Sequence, residues 1–319
     1  MFFLAGLQMR GEVTLEGFAV VVIEPSSRRN HASFPVAAVT EGHWDILARV
    51  RKPKPATSAA RAAAKRLFEA HERREPFAPL PSELAPRTAE DAYAIQDSFV
   101  ALRAERLGAI GGYKIALSSK EMQRFVGVNE PQAGVMLEPT LHQTPARVRA
   151  ADYVHLIIEF EIAFRMAADL PAADAPYTRA SLKPFVQAVM PAIELADDRH
   201  ADYSKLAKHP LDLIADNAWN EGAVLGAPIE RWQDLDLGAV RGVATINGKV
   251  VGEGVGAAAM GHPLDSLAWV ANHLAAHHRG LVFRDVVITG SIITTKTVQP
   301  GDLVKFEIDR LGGVELRVD

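Results

Sequence analysis

Cysteine is absent from this chain of 319 residues. Its absence excludes disulfides, zinc sites built on thiolates and cysteine nucleophiles, and it is compatible with a reducing compartment. Any catalysis must therefore use oxygen or nitrogen groups of the side chains, or a metal ion.

A large excess of charge of one sign is also missing, because the formal net charge is -4 and the sequence pI is near 6.3. This balance gives no electrostatic reason to expect nucleic acid or an anionic membrane as a partner. The N-terminal residues 1–25 are interrupted by Arg10, Glu12 and Glu16 before they reach the roughly 20 apolar residues of a membrane span. They also lack the order of regions that marks a signal peptide. We therefore expect a cytoplasmic protein.

Motifs of several enzyme classes are absent as well. The chain has no G-x-S-x-G elbow, no P-loop and no H-E-x-x-H pair, so serine hydrolases, nucleotide-binding enzymes and zincins have no support. Gly252, Gly254 and Gly256 are spaced G-x-G-x-G, but they follow a predicted hairpin strand instead of opening a βαβ unit. We interpret them as backbone that passes close to another segment.

The organisation changes twice along the chain. Residues 1–55 carry one strand-like run at residues 18–23 and end in a basic, proline-containing stretch. We interpret them as an N-terminal extension and linker, either a disordered accessory segment or an overlong translation start. Helical spacing follows, where Thr57 or Ser58 can cap one helix and Thr88 a second. We predict an N-terminal helical subdomain for residues 56–140.

Residues 141–319 have the alternation and turn signals of strands, with one helix after residue 261. Asn247 and Gly248 lie between two of these runs, as in a type I′ hairpin turn. Strands that cluster with hairpins, instead of alternating with helices, favour an α+β fold over a doubly wound sheet.

Three glutamates lie inside apolar runs. Glu159 and Glu161, in LIIEFEIAF, project from the same face of a predicted strand, and Glu194 lies in the run VMPAIELAD. A single pair such as Glu159 and Glu161 is typical of a solvent-exposed strand face. Buried carboxylates, in contrast, need a cation, a shared proton or water. Oxygen donors of this type suit Mg²⁺ or Mn²⁺. Zinc is less favoured, because His155 lies four residues before Glu159 and far along the strand.

Lys114 is a second candidate. It lies in GYKIALSS, among apolar and small residues that indicate a tightly packed strand. A lysine there can donate a proton or hold an anionic substrate, and burial would lower its pKa toward neutrality. The alternative is a lysine whose ammonium group reaches solvent.

The order of these motifs is recognisable. GYKIALSS is followed by GVNEPQAG, IEFEIAF, VMPAIELADDR, ADNAW, VLG, GVGAAAMGHPLDSLAWVANHL and VVITGSIITTKTVQPGD. Over residues 57–319 the chain resembles the 2-keto-4-pentenoate hydratase and 2-oxo-3-hexenedioate decarboxylase family, within the fumarylacetoacetate hydrolase superfamily. Its E-x-E and P-A-I-E elements match the metal signature of that family.

The resemblance implies a mixed β-roll of the fumarylacetoacetate hydrolase type as the catalytic domain, and a homo-oligomer. It assigns Glu159, Glu161 and Glu194 to Mg²⁺ or Mn²⁺, which would bind the carboxylate and C2 oxygen of a 2-oxo acid. Lys114 matches a lysine that donates a proton or orients the substrate. Ser291 matches a position that contacts the substrate.

Two residues depart from the pattern of the family. Gln132, in PQAG, stands where an aspartate is usual, and a carboxamide cannot act as a general acid or base. Trp219 stands after A-D-N-A, where a serine is usual, and would reshape the substrate-binding pocket. The metal half of the site is complete, whereas the half that transfers protons is altered.

The resemblance makes a hydratase of 2-hydroxydienoic acids the first hypothesis, acting in aromatic-compound catabolism and giving 4-hydroxy-2-oxo acids. A 2-oxo-3-hexenedioate-type decarboxylase is an alternative, because one electron sink serves both reactions. An acylpyruvate-type hydrolase is another, although the Y-x-x-G-Y-x-x-x-N-D stretch of that group is missing. A weakly active homologue that binds a 2-oxo acid would account for Gln132 and Trp219.

Overall fold

The computed structural model describes residues 12–15, 18–21 and 56–319. The chain divides into two compact units, Met1–Asp45 and Ile46–Asp319. In the first unit, strands β1 (Glu12–Leu15) and β2 (Phe18–Val21) pair antiparallel. The strand predicted at residues 18–23 is thus confirmed for residues 18–21, and the predicted extension apart from residues 12–15 and 18–21 lies outside the described residues.

The first two helices of the second unit begin where the sequence predicts caps. The side-chain oxygens of Thr57 and Thr88 accept hydrogen bonds from backbone N–H groups in the first turns of the first two helices. No helix in the described residues has both the length and the apolar content to cross a membrane. The α-helices are α1 (Ser58–Glu72), α2 (Ala89–Leu107), α3 (Lys120–Val126), α4 (Arg179–Leu182), α5 (Pro210–Ala215) and α6 (Pro263–Ala276).

Strands supply most of the remaining regular structure. They are β3 (Ile110–Ala116), β4 (Gln132–Leu137), β5 (Leu141–Gln143), β6 (Ala146–Val148), β7 (Leu156–Met166), β8 (Val186–Asp197), β9 (Asn220–Leu225), β10 (Arg241–Ile246), β11 (Lys249–Val255), β12 (Val286–Ile288), β13 (Ile293–Thr297), β14 (Leu303–Ile308) and β15 (Gly312–Val318).

Two mixed sheets organise these strands. The larger has the order β4-β3-β12-β7-β8-β9-β5, with β13 also paired to β7, and the smaller has the order β11-β10-β14-β15-β6. This architecture confirms the α+β prediction. Strands β3 and β4 belong to the larger sheet although they lie within residues 56–140, so the subdomain boundary at residue 140 stays a prediction.

The core lies where the two sheets face each other. Phe160 on β7 and Phe306 on β14 are both fully buried, and their ring centroids are 5.3 Å apart. Apolar side chains on one face of β7 and β8 fill this interface, and burial of each large side chain contributes about 1.5–3 kcal/mol. The opposite face of these two strands is therefore available to carry the glutamates.

The predicted hairpin turn between β10 and β11 is confirmed. Asn247 has a φ of 53° and Gly248 a φ of 78°, and a type I′ turn requires positive φ at both central residues.

Two of the glycines that follow this turn, Gly254 and Gly256, lie against other backbone, as predicted, and Gly252 lies against a side chain. A Cβ atom at Gly252 would be 2.3 Å from Ile293 Cγ2, and one at Gly254 would be 1.9 Å from the carbonyl oxygen of Ile292. At Gly256 the carbonyl oxygen of Leu237 would be 1.8 Å away. Strand β11 can therefore approach the segment that leads into β13 only because these side chains are missing.

Gly254→Ala is expected to lower the free energy of unfolding by about 3 kcal/mol, because the added methyl group must displace backbone and not a flexible side chain. Denaturant titration of the unfolding transition measures this loss. Gly313→Ala is the matched control, since its nearest atom would be the side-chain Cγ of Glu307 at 3.3 Å. Equal stability of the two variants would contradict the close approach of β11.

Candidate active site and metal centre

Strands β7 and β8 bring the three predicted glutamates together. Their antiparallel register places Glu159 directly opposite Glu194, and Glu161 lies two residues along β7 on the same face. One carboxylate oxygen from each residue lies within 4.8 Å of the others. Glu161 and Glu194 are fully buried, so a wet strand face does not explain them.

Each carboxylate is oriented by a neighbouring donor, but two oxygens have no partner. The donors are Thr295 Oγ1 to Glu159 at 2.9 Å, the Gly290 N–H to Glu161 at 2.6 Å and Asn220 Nδ2 to Glu194 at 2.8 Å. Among the described residues, Oε1 of Glu161 and Oε2 of Glu194 are buried without a hydrogen-bond partner. Buried unpartnered oxygens are costly, and convergent carboxylates are the donors of a hard divalent cation. The residues present therefore fit such an ion.

The electrostatics of the cluster agree with this fit. Burial raises the pKa of Glu161 well above its usual range, and the charges of Glu194 and Glu159 raise it further. Burial also raises the pKa of Glu194, although Lys114 opposes the shift. Such a group of carboxylates needs positive charge nearby to remain ionised.

Lys114 on β3 provides one positive charge. Its Nζ atom is 3.0 Å from Glu194 Oε1, and the side chain is buried, which excludes an ammonium group that reaches solvent. Burial alone would lower its pKa, but attraction to Glu194, Glu159 and Glu161 outweighs burial and raises the pKa. The predicted lowering is wrong, because the neighbouring charges and not the burial decide its direction.

A cavity of about 520 Å³ opens beside the cluster, within the usual size range of small-molecule sites. Lys114, Glu159, Trp219 and Ser291 line it. Most of the predicted site residues therefore meet at one cavity.

Ser291 already uses its hydroxyl group within the fold. Its Oγ atom accepts a hydrogen bond from the backbone N–H of Phe160 at 3.0 Å and donates one to the carbonyl oxygen of Ile293 at 2.6 Å. These bonds tie β7 to the segment before β13. The predicted substrate contact of Ser291 stays a prediction.

Gln132 lies on β4, opposite Ala116, and is buried. Its Nε2 atom donates to the carbonyl oxygen of Pro210 at 3.2 Å, and its Oε1 atom has no partner among the described residues. Gln132 is not one of the described residues that line the cavity. Its predicted role at the position of a proton-transferring acid stays a prediction.

Trp219 is presented to the cavity by unusual backbone. Asn217, Ala218 and Trp219 have φ values of 54°, 48° and 59°, a region that costs roughly 1–2 kcal/mol for each residue with a side chain. The indole ring is buried, and it contacts Phe77 and Tyr203 edge-on with centroid distances of 5.4 and 5.8 Å. Strained backbone persists only where surrounding contacts determine it.

Side-chain contacts before Trp219 hold this left-handed run. The side-chain amide of Asn217 donates to the carbonyl oxygen of Val135 at 2.9 Å and accepts from its N–H at 2.7 Å. Asp216 is fully buried, 2.7 Å from His71 Nε2, and it accepts from the Arg199 guanidinium group. Burial alone would raise the pKa of Asp216, but Arg199 and His71 hold it below its ordinary value.

The residues that orient the glutamates were not predicted from the sequence. Asn220, Gly290 and Thr295 had no assigned role, although Asn220 is a polar residue at the start of an apolar run, which is a signal of a buried hydrogen-bonding role. His155 is 2.6 Å from Asp198 and lies outside the glutamate cluster, as expected.

Comparison with known proteins identifies the family. The family model described as "Fumarylacetoacetate (FAA) hydrolase C-terminal" matches residues 114–319. The chain belongs to the fumarylacetoacetate hydrolase family. This match begins at Lys114 and contains every glutamate of the cluster.

Curated relatives of this fumarylacetoacetate hydrolase family member include enzymes. It is 29% identical over 257 residues to 2-oxo-hept-4-ene-1,7-dioate hydratase of Escherichia coli, covering 80% of this chain and 96% of the relative. It is 31% identical over 251 residues to 2-hydroxyhexa-2,4-dienoate hydratase of Comamonas testosteroni, covering 77% and 92%.

The solved structures agree on the fold. 4-Oxalocrotonate decarboxylase from Pseudomonas putida G7, complexed with magnesium and adipate, superposes with a TM-score of 0.75 at 27% sequence identity. The similarity covers 84% of this chain and 100% of that one. The predicted β-roll of the fumarylacetoacetate hydrolase type is confirmed.

Proposed function

We propose that this chain is a divalent-metal-dependent hydratase that converts 2-hydroxydienoic acids, the enol forms of 2-oxo-4-enoic acids, into 4-hydroxy-2-oxo acids in aromatic-compound catabolism. The observation that carries the proposal is the cluster of Glu159, Glu161 and Glu194, with two unpartnered buried oxygens, beside Lys114 and the cavity. The names of the two hydratase relatives support the substrate class. We also propose that the protein is cytoplasmic and that it forms a homo-oligomer.

Glu159, Glu161 and Glu194 would hold Mg²⁺ or Mn²⁺. When bound, the cation supplies a Lewis acid that stabilises negative charge on a substrate oxygen. The magnesium ion in the solved decarboxylase relative supports this choice.

Lys114 would bind or protonate the substrate. Its ammonium group has three N–H donors, and the described residues offer it Glu194 Oε1 at 3.0 Å and the carbonyl oxygen of Ala218 at 3.4 Å. A remaining N–H can donate to an oxygen of a 2-oxo acid in the cavity. The same group can deliver the proton that the dienol gains when it becomes a ketone.

A decarboxylase is the second candidate. The solved relative named 4-oxalocrotonate decarboxylase favours it, since the present chain covers that protein over its whole length. Both reactions need negative charge stabilised at the same oxygen, but decarboxylation releases CO₂ and consumes no water. Product analysis therefore separates them.

The test generates 2-hydroxypenta-2,4-dienoate and 2-oxohex-3-enedioate in situ and follows their ultraviolet absorbance with Mg²⁺ or EDTA. Mass spectrometry then identifies the products. Magnesium-dependent formation of a 4-hydroxy-2-oxo acid is the expected result. Release of CO₂ would show that the activity is that of a decarboxylase and not of a hydratase. Absence of product from either substrate, with metal bound, would overturn both proposed activities.

Gln132→Asp is expected to raise kcat by roughly 10- to 100-fold if residue 132 occupies the place of a proton-transferring acid, since a positioned acid or base typically contributes 10²–10⁴-fold. The steady-state rate with Mg²⁺ measures the effect. Gln132→Asn is the matched control, because asparagine has the length of aspartate without its acidity. An Asp variant no faster than the Asn variant would count against this role.

A further inference from the structure

Charge is distributed unevenly around the cavity. Among the described residues that line it, Lys114 is the one cationic side chain, and it is 3.0 Å from Glu194. Glu121 and Glu159 line the same cavity. A ligand that binds here meets one positive group at the metal end and otherwise negative or neutral groups.

Apolar side chains make up much of the remaining wall. The aromatic residue Tyr203 also lines the cavity, but its hydroxyl group donates to Asp198 at 2.9 Å and is already satisfied. The apolar residues of the wall include Val126, Ile157, Leu206, Leu213 and Trp219. Each of these is buried, so this part of the cavity is suited to hydrocarbon.

Three other lysines, Lys120, Lys205 and Lys296, lie next to cavity residues in the sequence, but none of them lines the cavity. Lys205 Nζ is 2.8 Å from Asp202 Oδ2. Lys120 Nζ donates to Gln123 Oε1 at 2.9 Å and to the carbonyl oxygen of Asn129 at 3.3 Å. Lys296 Nζ donates to Thr294 Oγ1 at 2.8 Å. In the part of the chain that the structure describes, the wall thus offers no second cation to a second carboxylate.

We propose that this cavity selects 2-oxo acids, and the corresponding 2-hydroxydienoic acids, that have an uncharged apolar tail, and discriminates against those with a second terminal carboxylate. The inference rests on the proposed function, because it takes the first carboxylate to lie at the glutamate cluster and Lys114. A tail carboxylate would then lie against apolar groups and near Glu121, where the described lining residues offer it hydroxyl groups but no cation, which is unfavourable for a charge that leaves water. A site that leaves a polar group of one ligand without a matched partner favours the ligand that lacks this group by a factor of about 100 or more in affinity.

Two saturated analogues of equal carbon chain length test this selection by binding alone. 2-Oxohexanoate ends in a methyl group, whereas 2-oxoadipate ends in a carboxylate, and neither can be hydrated. In calorimetric titrations with Mg²⁺ present, we expect 2-oxohexanoate to bind about 100-fold more tightly. Equal affinity, or a preference for 2-oxoadipate, would overturn the inference and leave the proposed function standing. Binding of neither analogue would overturn the proposed function and the inference with it.

Met122→Arg tests the charge argument directly. Met122 on α3 lines the cavity and is 39% exposed, so a long cationic side chain is accommodated without refolding. We expect 2-oxoadipate to bind the Met122→Arg variant roughly 10-fold more tightly, or better, than it binds the unsubstituted protein. The reason is that the new cation can pair with the terminal carboxylate. Met122→Gln, of similar length and uncharged, is the control, and we expect it to give no such gain in affinity for 2-oxoadipate. An equal gain in the Gln variant, or no gain in the Arg variant, would overturn the inference.

Discussion

Replacing Glu161 with glutamine is expected to abolish cation binding while the fold remains intact. The substitution keeps the size of the side chain but removes one of three anionic ligands from a site built on charge. Magnesium affinity should fall by more than about 100-fold, because changes to groups behind metal ligands alone cost roughly 10- to 100-fold. Calorimetric titration measures the loss, and the rate of substrate hydration should fall in parallel.

The stability of the same variant identifies the cause. Burial and the neighbouring carboxylates disfavour the charged form of Glu161, so Glu161→Gln should be at least as stable as the unsubstituted protein in EDTA. Glu121→Gln is the control, since Glu121 lines the same cavity outside the cluster and its loss should leave magnesium affinity nearly unchanged. Unchanged Mg²⁺ affinity in Glu161→Gln would contradict the assignment of Glu161 as a metal ligand. A large loss of stability in EDTA would indicate a structural role for Glu161.

Replacing Lys114 with methionine is expected to destabilise the protein in EDTA by about 3–5 kcal/mol, the usual cost of removing one partner of a buried ion pair. Methionine preserves the length of the side chain but leaves Glu159, Glu161 and Glu194 without their cation. Excess Mg²⁺ should restore much of the lost stability, because a bound cation supplies positive charge to the same carboxylates. Denaturant unfolding in EDTA and in Mg²⁺ measures both effects.

Activity separates the two roles of Lys114. If the lysine also binds or protonates the substrate, Lys114→Met stays slow in Mg²⁺ even where its stability has recovered. Lys120→Met is the control, since Lys120 is exposed and should affect neither quantity. A Lys114→Met protein as stable in EDTA as the unsubstituted one would contradict the charge balance described for the cluster.

The sequence predicts the pairing of Glu159 and Glu161 on one face, because strand alternation is a local property. It also identifies Glu194 as a third carboxylate in an apolar run, but not its position across from Glu159. That position depends on the register of β7 against β8, which is fixed by packing between distant segments. The cluster was therefore predictable in composition and not in geometry.

Other features had no local signal. Strands β4 and β9 are short apolar runs, which pattern alone does not separate from buried helix. The direction of the Lys114 pKa depends on three carboxylates from β7 and β8, whose distance from β3 is set by the sheet order. The left-handed backbone of residues 217–219 contains no glycine, the residue that usually marks such a conformation, so tertiary contacts alone impose it.

This left-handed run has a consequence for how the substrate range of such a protein can evolve. The contacts that impose it come from Asp216 and Asn217, which bond to groups other than the indole ring of Trp219. The backbone that positions residue 219 is therefore held in part by contacts that do not involve its side chain. Substitutions at position 219 would alter the cavity that Trp219 lines while the contacts of Asp216 and Asn217 remain, which gives a route to new substrate preferences.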